Sequence, residues 1–157
     1  MALTVASLGA ACGGGSQDPA APAARQSPAS LIDSSSDTGL KGRPVGVAVG
    51  GGSTWVATFD RGGVLSRLDP ETGKVSQRIP ADEGALGVAY GAGSVWVTNN
   101  LAGTVSRVDP KRGKIIATIR VGEHPEGIAF ADDTLWITND RDGTVMSVDP
   151  STNKAGK

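Results

Sequence analysis

A period of about forty residues, beginning near residue 43, constrains this chain more than any other feature. Trp55, Trp96 and Trp136 are spaced 41 and 40 residues apart, and the Asp-Pro pairs ending at Pro70, Pro110 and Pro150 are spaced 40 and 40. The extra residue of the first interval falls between Trp55 and Pro70. There TFDRGG (Thr58 to Gly63) stands in place of NNLAG (Asn99 to Gly103) and NDRDG (Asn139 to Gly143). Insertions are tolerated where backbone hydrogen bonds are least constrained, so this segment reads as a turn.

Nothing within the period is helical, which points to propeller blades rather than a helical solenoid. Each copy divides into four β runs, in the middle copy Gly87 to Tyr90, Ser94 to Asn99, Thr104 to Asp109 and Lys114 to Val121. These are enriched in residues that suit a pleated, packed surface. Turn chemistry separates them. GAG (Gly91 to Gly93) and Ala102-Gly103 supply positive φ, while Asp109 to Lys114 offers an acceptor side chain, a Pro preset for the second turn position and a closing Gly. Asn153 replaces that Gly in the third copy and is the usual substitute in a left-handed conformation. The expected fold is all-β: a β-propeller of about three four-stranded antiparallel blades, near residues 44–80, 86–120 and 127–157. Glycine at 23 residues, about twice its usual ~7% share, fits a chain that turns every few residues.

VWVTNN (Val95 to Asn100), LWITND (Leu135 to Asp140), GTVSRVDP (Gly103 to Pro110), GTVMSVDP (Gly143 to Pro150), RPVGVAV (Arg43 to Val49) and HPEGIAF (His124 to Phe130) resemble the YVTN family of bacterial β-propellers. The resemblance covers Arg43 to Lys157. It implies an exported, non-catalytic module that presents loop-face residues to a protein, peptidoglycan-associated or small-molecule partner. Blades of this style also resemble virginiamycin B lyase, which implies an alternative as a metal-dependent enzyme. That family tends to end its second strand in aromatic-Thr-Glu, where this chain has Trp-Val-Thr-Asn (Trp96 to Asn99) and Trp-Ile-Thr-Asn (Trp136 to Asn139). A sensor portion of a larger receptor is a third expectation.

Propellers close at typically four to eight blades. Fewer than three complete copies therefore imply either a piece of a longer protein, the preferred expectation, or self-association to complete the ring. Open flanks are expected to make the chain aggregation-prone or oligomeric.

Residues 1–12, MALTVASLGAAC, are apolar and small, and Ala10-Ala11-Cys12-Gly13 resembles the cleavage and lipidation motif of a bacterial lipoprotein signal peptide. No Lys or Arg precedes the apolar run, and Leu8 stands one place further from Cys12 than the usual leucine. The resemblance implies an exported protein, membrane-anchored on the extracytoplasmic side, in the periplasm or at the cell surface, through a lipid on Cys12. Residues 13–42 are rich in Gly, Ser, Ala and Pro with few large apolar side chains, and read as a disordered tether. Cys12 is the single cysteine, so an internal disulfide is excluded. A net charge of −1 gives no electrostatic case for nucleic acid or for an anionic membrane surface.

If the chain runs outward within each blade, the turn between second and third strands and the loop to the next blade share a face. Thr58 to Arg61, Asp82-Glu83, Asn99, Asn100, His124 to Glu126, and Asn139 to Asp142 then form the candidate binding surface. His124 with Glu126 is the weak catalytic candidate, as a general base needs a tuning partner. Thr138 to Gly143 with Asp149 resembles a calcium loop only faintly, with Thr and Asp where Asp and Glu belong, and is read as a hairpin. No nucleophile triad, phosphate loop or zinc spacing can be assembled, and no metal or cofactor is expected. Trp55, Trp96 and Trp136 are expected to be structural, each wedged between blades.

Overall fold

The computed structural model describes residues 38 to 156. Cys12, the leader 1–12 and the linker as far as residue 37 lie outside the described residues.

Three four-stranded antiparallel sheets succeed one another along the chain, each built from consecutive strands. Blade 1 holds β1 (Arg43–Gly50), β2 (Ser53–Phe59), β3 (Val64–Leu68) and β4 (Val75–Pro80). Blade 2 holds β5 (Ala85–Gly91), β6 (Ser94–Asn99), β7 (Thr104–Asp109) and β8 (Lys114–Arg120). Blade 3 holds β9 (Pro125–Ala131), β10 (Thr134–Asn139), β11 (Thr144–Asp149) and a two-residue β12 (Lys154–Ala155). The first strands β1, β5 and β9 approach one another, so the chain runs outward within each blade. The described blades form an open arc of a β-propeller.

Local chemistry explains the turns. In each Asp-Pro turn the carboxylate of Asp69, Asp109 or Asp149 accepts backbone N–H bonds two or three residues on. Its own carbonyl accepts from the N–H of Gly73, Gly113 or Asn153, and all three of these have positive φ. The extra residue near Asp60 is absorbed as expected, with Gly62 N–H capped by the Asp60 carboxylate at 2.8 Å.

The core lies between blades. Trp55, Ala57, Leu65 and Ile79 of blade 1 pack on Val88, Val95, Val97 and Val108 of blade 2. Trp96, Val105 and Ile119 of blade 2 pack in turn on Leu135, Ile137 and Val148 of blade 3. Two tight approaches set the spacing. A Cβ on Gly50 would run into the Tyr90 ring, and one on Gly91 into the Phe130 ring.

The structure also shows a strap that the sequence reading did not foresee. Arg67 lies over the Trp55 ring, with its Nε on the Ser53 hydroxyl and its Nη1 on the Pro110 carbonyl of blade 2. Arg107 repeats this over Trp96, reaching Ser94, the Pro150 carbonyl and the Asn153 side chain of blade 3. Each guanidinium thus ties one blade to the next through its planar fork of donors.

One expectation is corrected. Trp55 and Trp96 are fully buried, but Trp136 is 46% exposed. Its indole faces away from blade 2, and among the described residues no blade lies beyond it. Ser147 stands at the position of Arg67 and Arg107, so the strap is missing there too. On the opposite flank Val45, Val47 and Val49 are exposed. The outer part of that flank is partly served by Thr38 and Gly39, within the span read as linker, whose carbonyls accept from Val75 N and Arg78 Nη2.

Candidate functional site

The expected loop face exists because connecting loops bond back onto the second-to-third-strand turns. Gly84 N donates to Asp60 O and Leu101 N to Glu83 O, while Val121 N donates to Gly103 O and Glu123 N to the Asp142 carboxylate. These bonds gather the β6–β7 turn, the loop from β8 to β9 and the β10–β11 turn at one end of the blade 2 to blade 3 junction.

A cleft of about 210 Å³ opens there, lined by Asn100, Leu101, Arg120, Glu123, His124 and Arg141 among others. Arg141 Nε lies 3.3 Å from Glu123 Oε2. Both side chains are more than half exposed, so this pair is worth less than about 1 kcal/mol and can open toward a ligand. Two guanidiniums, an imidazole and one carboxylate on a small concave surface suit an anionic group, which Arg recognises through paired donors.

His124 is placed at a cost to the backbone. Its φ is +54°, a left-handed conformation in which an L residue is disfavoured by about 1 kcal/mol. Gly84 occupies the corresponding position before blade 2, with φ +76°. The two carbonyls play the same part, Gly84 O accepting from Asn100 N at 2.8 Å and His124 O from Asp140 N at 3.0 Å. Blade 1 has Arg43 at this point without a positive φ, so the left-handed turn belongs to the entries of blades 2 and 3, where glycine serves the first and an imidazole lining the cleft stands in the second.

The other candidates separate. Asn100 lines the cleft while its Nδ2 reaches the Pro125 carbonyl at 3.3 Å, so it also bridges blades. Asn99 and Asn139 are buried and turned inward, their Nδ2 atoms on the Thr104 and Thr144 hydroxyls at 2.9 and 3.2 Å. Each has a buried Oδ1 without a partner. Neither offers its side chain at the surface. Glu126 is exposed beside Pro125 but does not line the cleft, and no hydrogen bond joins it to His124 among the described residues. Asp140 is exposed on the β10–β11 turn. Asp149 is the last residue of β11 and Asp142 precedes its first, so the length of that extended strand separates them. A shared cation loop from Thr138 to Asp149 is geometrically excluded. Among the described residues no group of three His, Cys, Asp or Glu side chains is arranged to hold a metal.

Arg120 and Glu123 were missed by sequence reasoning. Arg120 ends β8 opposite Thr104. The signal available was its place as the last residue before the blade-connecting loop, on the face already nominated. A larger hollow of about 540 Å³ at the opposite end of blade 1, lined by Ser53, Arg67, Asp69 and Gln77, has less to offer. Arg67 is held there by the interblade strap and Asp69 by its own turn.

No protein-family model matches the sequence, and no curated protein does. Solved structures do match. The chain is similar to hydrazine synthase of Kuenenia stuttgartiensis (TM-score 0.67, 19% identity, 73% of this chain and 34% of that one). It is similar to the WD40 repeats of RRP9 (TM-score 0.66, 14% identity, 75% and 38%). It is also similar to a catalytically inactive virginiamycin B lyase from Staphylococcus aureus solved with quinupristin (TM-score 0.63, 19% identity, 72% and 40%). The chain spans about a third to two fifths of the length of these relatives. At such identities the likeness shows the propeller fold alone, and a propeller is a scaffold for unrelated activities.

Proposed function

We propose that this propeller is an exported, non-catalytic binding module of the YVTN style, and that the loop-face cleft at the junction of blades 2 and 3 receives an anionic group of a small molecule or partner protein. The observation that carries the reading is His124, an imidazole held in a left-handed conformation where the preceding repeat uses Gly84. Backbone strain retained at a concave, Arg-bordered surface points from the outlier to a function. Arg120 and Arg141 supply the charge, Asn100 a polar wall, and the weak Arg141–Glu123 pair a donor set that a carboxylate can take over.

Titration of the chain with small carboxylates and inorganic phosphate, followed by NMR of the His124 ring, tests this. Shifts that saturate at millimolar ligand and vanish in Arg120→Ala and Arg141→Ala support it. Unmoved resonances with every anion would sink it. His124→Gly should also stabilise the fold by about 1 kcal/mol as the left-handed strain is relieved. The extracytoplasmic tether belongs to the same proposal. Lipid labelling that disappears in Cys12→Ser is expected, and a chain that never takes up label removes the anchor from the reading.

A further inference from the structure

The cleft between blades 2 and 3 has a counterpart one repeat earlier, and the two differ in charge. At the junction of blades 1 and 2 the positions of Arg120, His124 and Arg141 are held by Pro80, Gly84 and Leu101. There the Leu101 side chain lies against Gly84, where an added Cβ would stand 2.8 Å from its Cγ, so an aliphatic group covers the spot. The acid alone is kept, as Glu83 and then Glu123. A junction therefore closes without any of the two guanidiniums and the imidazole that surround Glu123.

Two of these added groups are not engaged in holding the fold. Among the described residues no hydrogen bond or ion pair occupies the Arg120 guanidinium or the His124 ring. Gly103 leaves room for Arg120 over the β6–β7 turn, since an added Cβ there would stand 3.7 Å from Arg120 Cζ. Arg141 meets Glu123 through Nε, which leaves its two terminal nitrogens open.

The balance of charge indicates what these groups receive. Two guanidiniums face two carboxylates, because Asp142 lies against Gly122 in the cleft wall and accepts from Glu123 N at 2.7 Å. An anion with no cation of its own would draw Arg141 away from Glu123 and leave that carboxylate beside a second negative charge. A ligand that carries an ammonium next to its carboxylate answers both needs. The guanidiniums take the carboxylate through paired donors, and Glu123 exchanges Arg141 for the ammonium. That exchange costs little, because the Arg141–Glu123 pair is exposed. Size narrows the class further, since about 210 Å³ lies below the roughly 300–1,000 Å³ of pockets for drug-sized ligands. Leu101, exposed at the rim, adds one apolar wall.

We infer that this cleft takes a small zwitterion, an α-amino acid with an apolar side chain, its carboxylate on Arg120 and Arg141, its ammonium on Glu123 and its side chain against Leu101. The inference rests on the anion-binding reading above and adds the cation that accompanies the anion. Both walls of the site lie within the described residues.

Leucine, N-acetylleucine and leucinamide, titrated against the full chain and followed by NMR of the His124 ring and the Glu123 amide, test it. N-acetylleucine stands for the carboxyl end of a peptide and leucinamide for an amino end. Leucine is expected to bind in the millimolar range, about fivefold more tightly than N-acetylleucine, which is the fold-change of one exposed ion pair, and leucinamide should be weakest. Glu123→Gln removes an exposed charge and keeps the backbone bonds of its loop. It should cut the advantage of leucine to less than about twofold, while N-acetylleucine binds as before or better because Arg141 is released. Equal weakening of both ligands by Glu123→Gln would mean a merely structural role and overturn the inference. N-acetylleucine binding as tightly as leucine to the unaltered chain would overturn it too, with the anion reading left standing. Resonances unmoved by all three ligands, acetate and phosphate would remove the anion reading and the inference together.

Discussion

Trp96 and Trp136 occupy the same position in consecutive repeats, on second strands of nearly the same sequence, yet one is sealed and the other is almost half open. The difference lies in the neighbour. Blade 3 covers Trp96 with Leu135 and Ile137 and supplies the Pro150 carbonyl that anchors the Arg107 strap. Trp136 has neither. In a repeat architecture, then, a residue's energetic weight belongs to the junction rather than to the residue, which is the sense in which stability is a sum of repeat and interface terms.

The sharpest way to break this comparison is to remove each indole. Trp96→Ala should cost about 3–5 kcal/mol in urea denaturation, because it deletes a buried aromatic and leaves a cavity. Trp136→Ala, measured in dilution where no partner covers it, should cost less than about 1 kcal/mol. Equal losses would mean that burial does not set their weights.

The next contrast concerns the glycines. Gly91→Ala drives a methyl into the Phe130 ring and should destabilise by about 1–3 kcal/mol. The reciprocal Ala131→Gly should change the isolated chain by no more than about 1 kcal/mol, mainly through strand entropy. A tolerated Gly91→Ala would show that the blades can slide apart.

The straps offer a third test. Arg107→Ala should cost about 1.5–3 kcal/mol by releasing charge-assisted bonds to blade 3, and Arg107→Lys should not recover it, lacking the planar fork. Ser147→Arg should be close to neutral in a dilute sample, where no carbonyl awaits it. A gain from that substitution alone would contradict the account of the strap.

The smallest effect is shared by all three blades. Bonds from the backbone of Thr72 lower the Asp69 pKa, and those from the backbone of Arg112 lower that of Asp109. The Ser151 hydroxyl, then its backbone, does the same for Asp149. A carboxylate whose folded pKa is depressed contributes fully above its unfolded value, near 3.9, and loses that contribution as pH falls below it. Thermal stability from this source should be flat between about pH 5 and pH 8 and should drop below about pH 4. Asp109→Asn should flatten the acid limb, and an unchanged acid limb would remove these turns as its cause.

The repeat, the four strands of each blade and the turns between them were legible in the sequence. Side chains acting on backbone within four residues of themselves decide those features, as Asp69, Asp109 and Asp149 do, with Asn153 taking the left-handed position that closes the third turn. The loop face was legible too, because blade order follows from chain order. The burial of Trp55 and Trp96 but not Trp136, the Arg67 and Arg107 straps, the inward turn of Asn99 and Asn139, and the meeting of Arg120, His124 and Arg141 were decided only by tertiary structure. These depend on where blades and adjoining turns stand relative to one another. Strand alternation can say which way a side chain faces, but only packing supplies what meets it there.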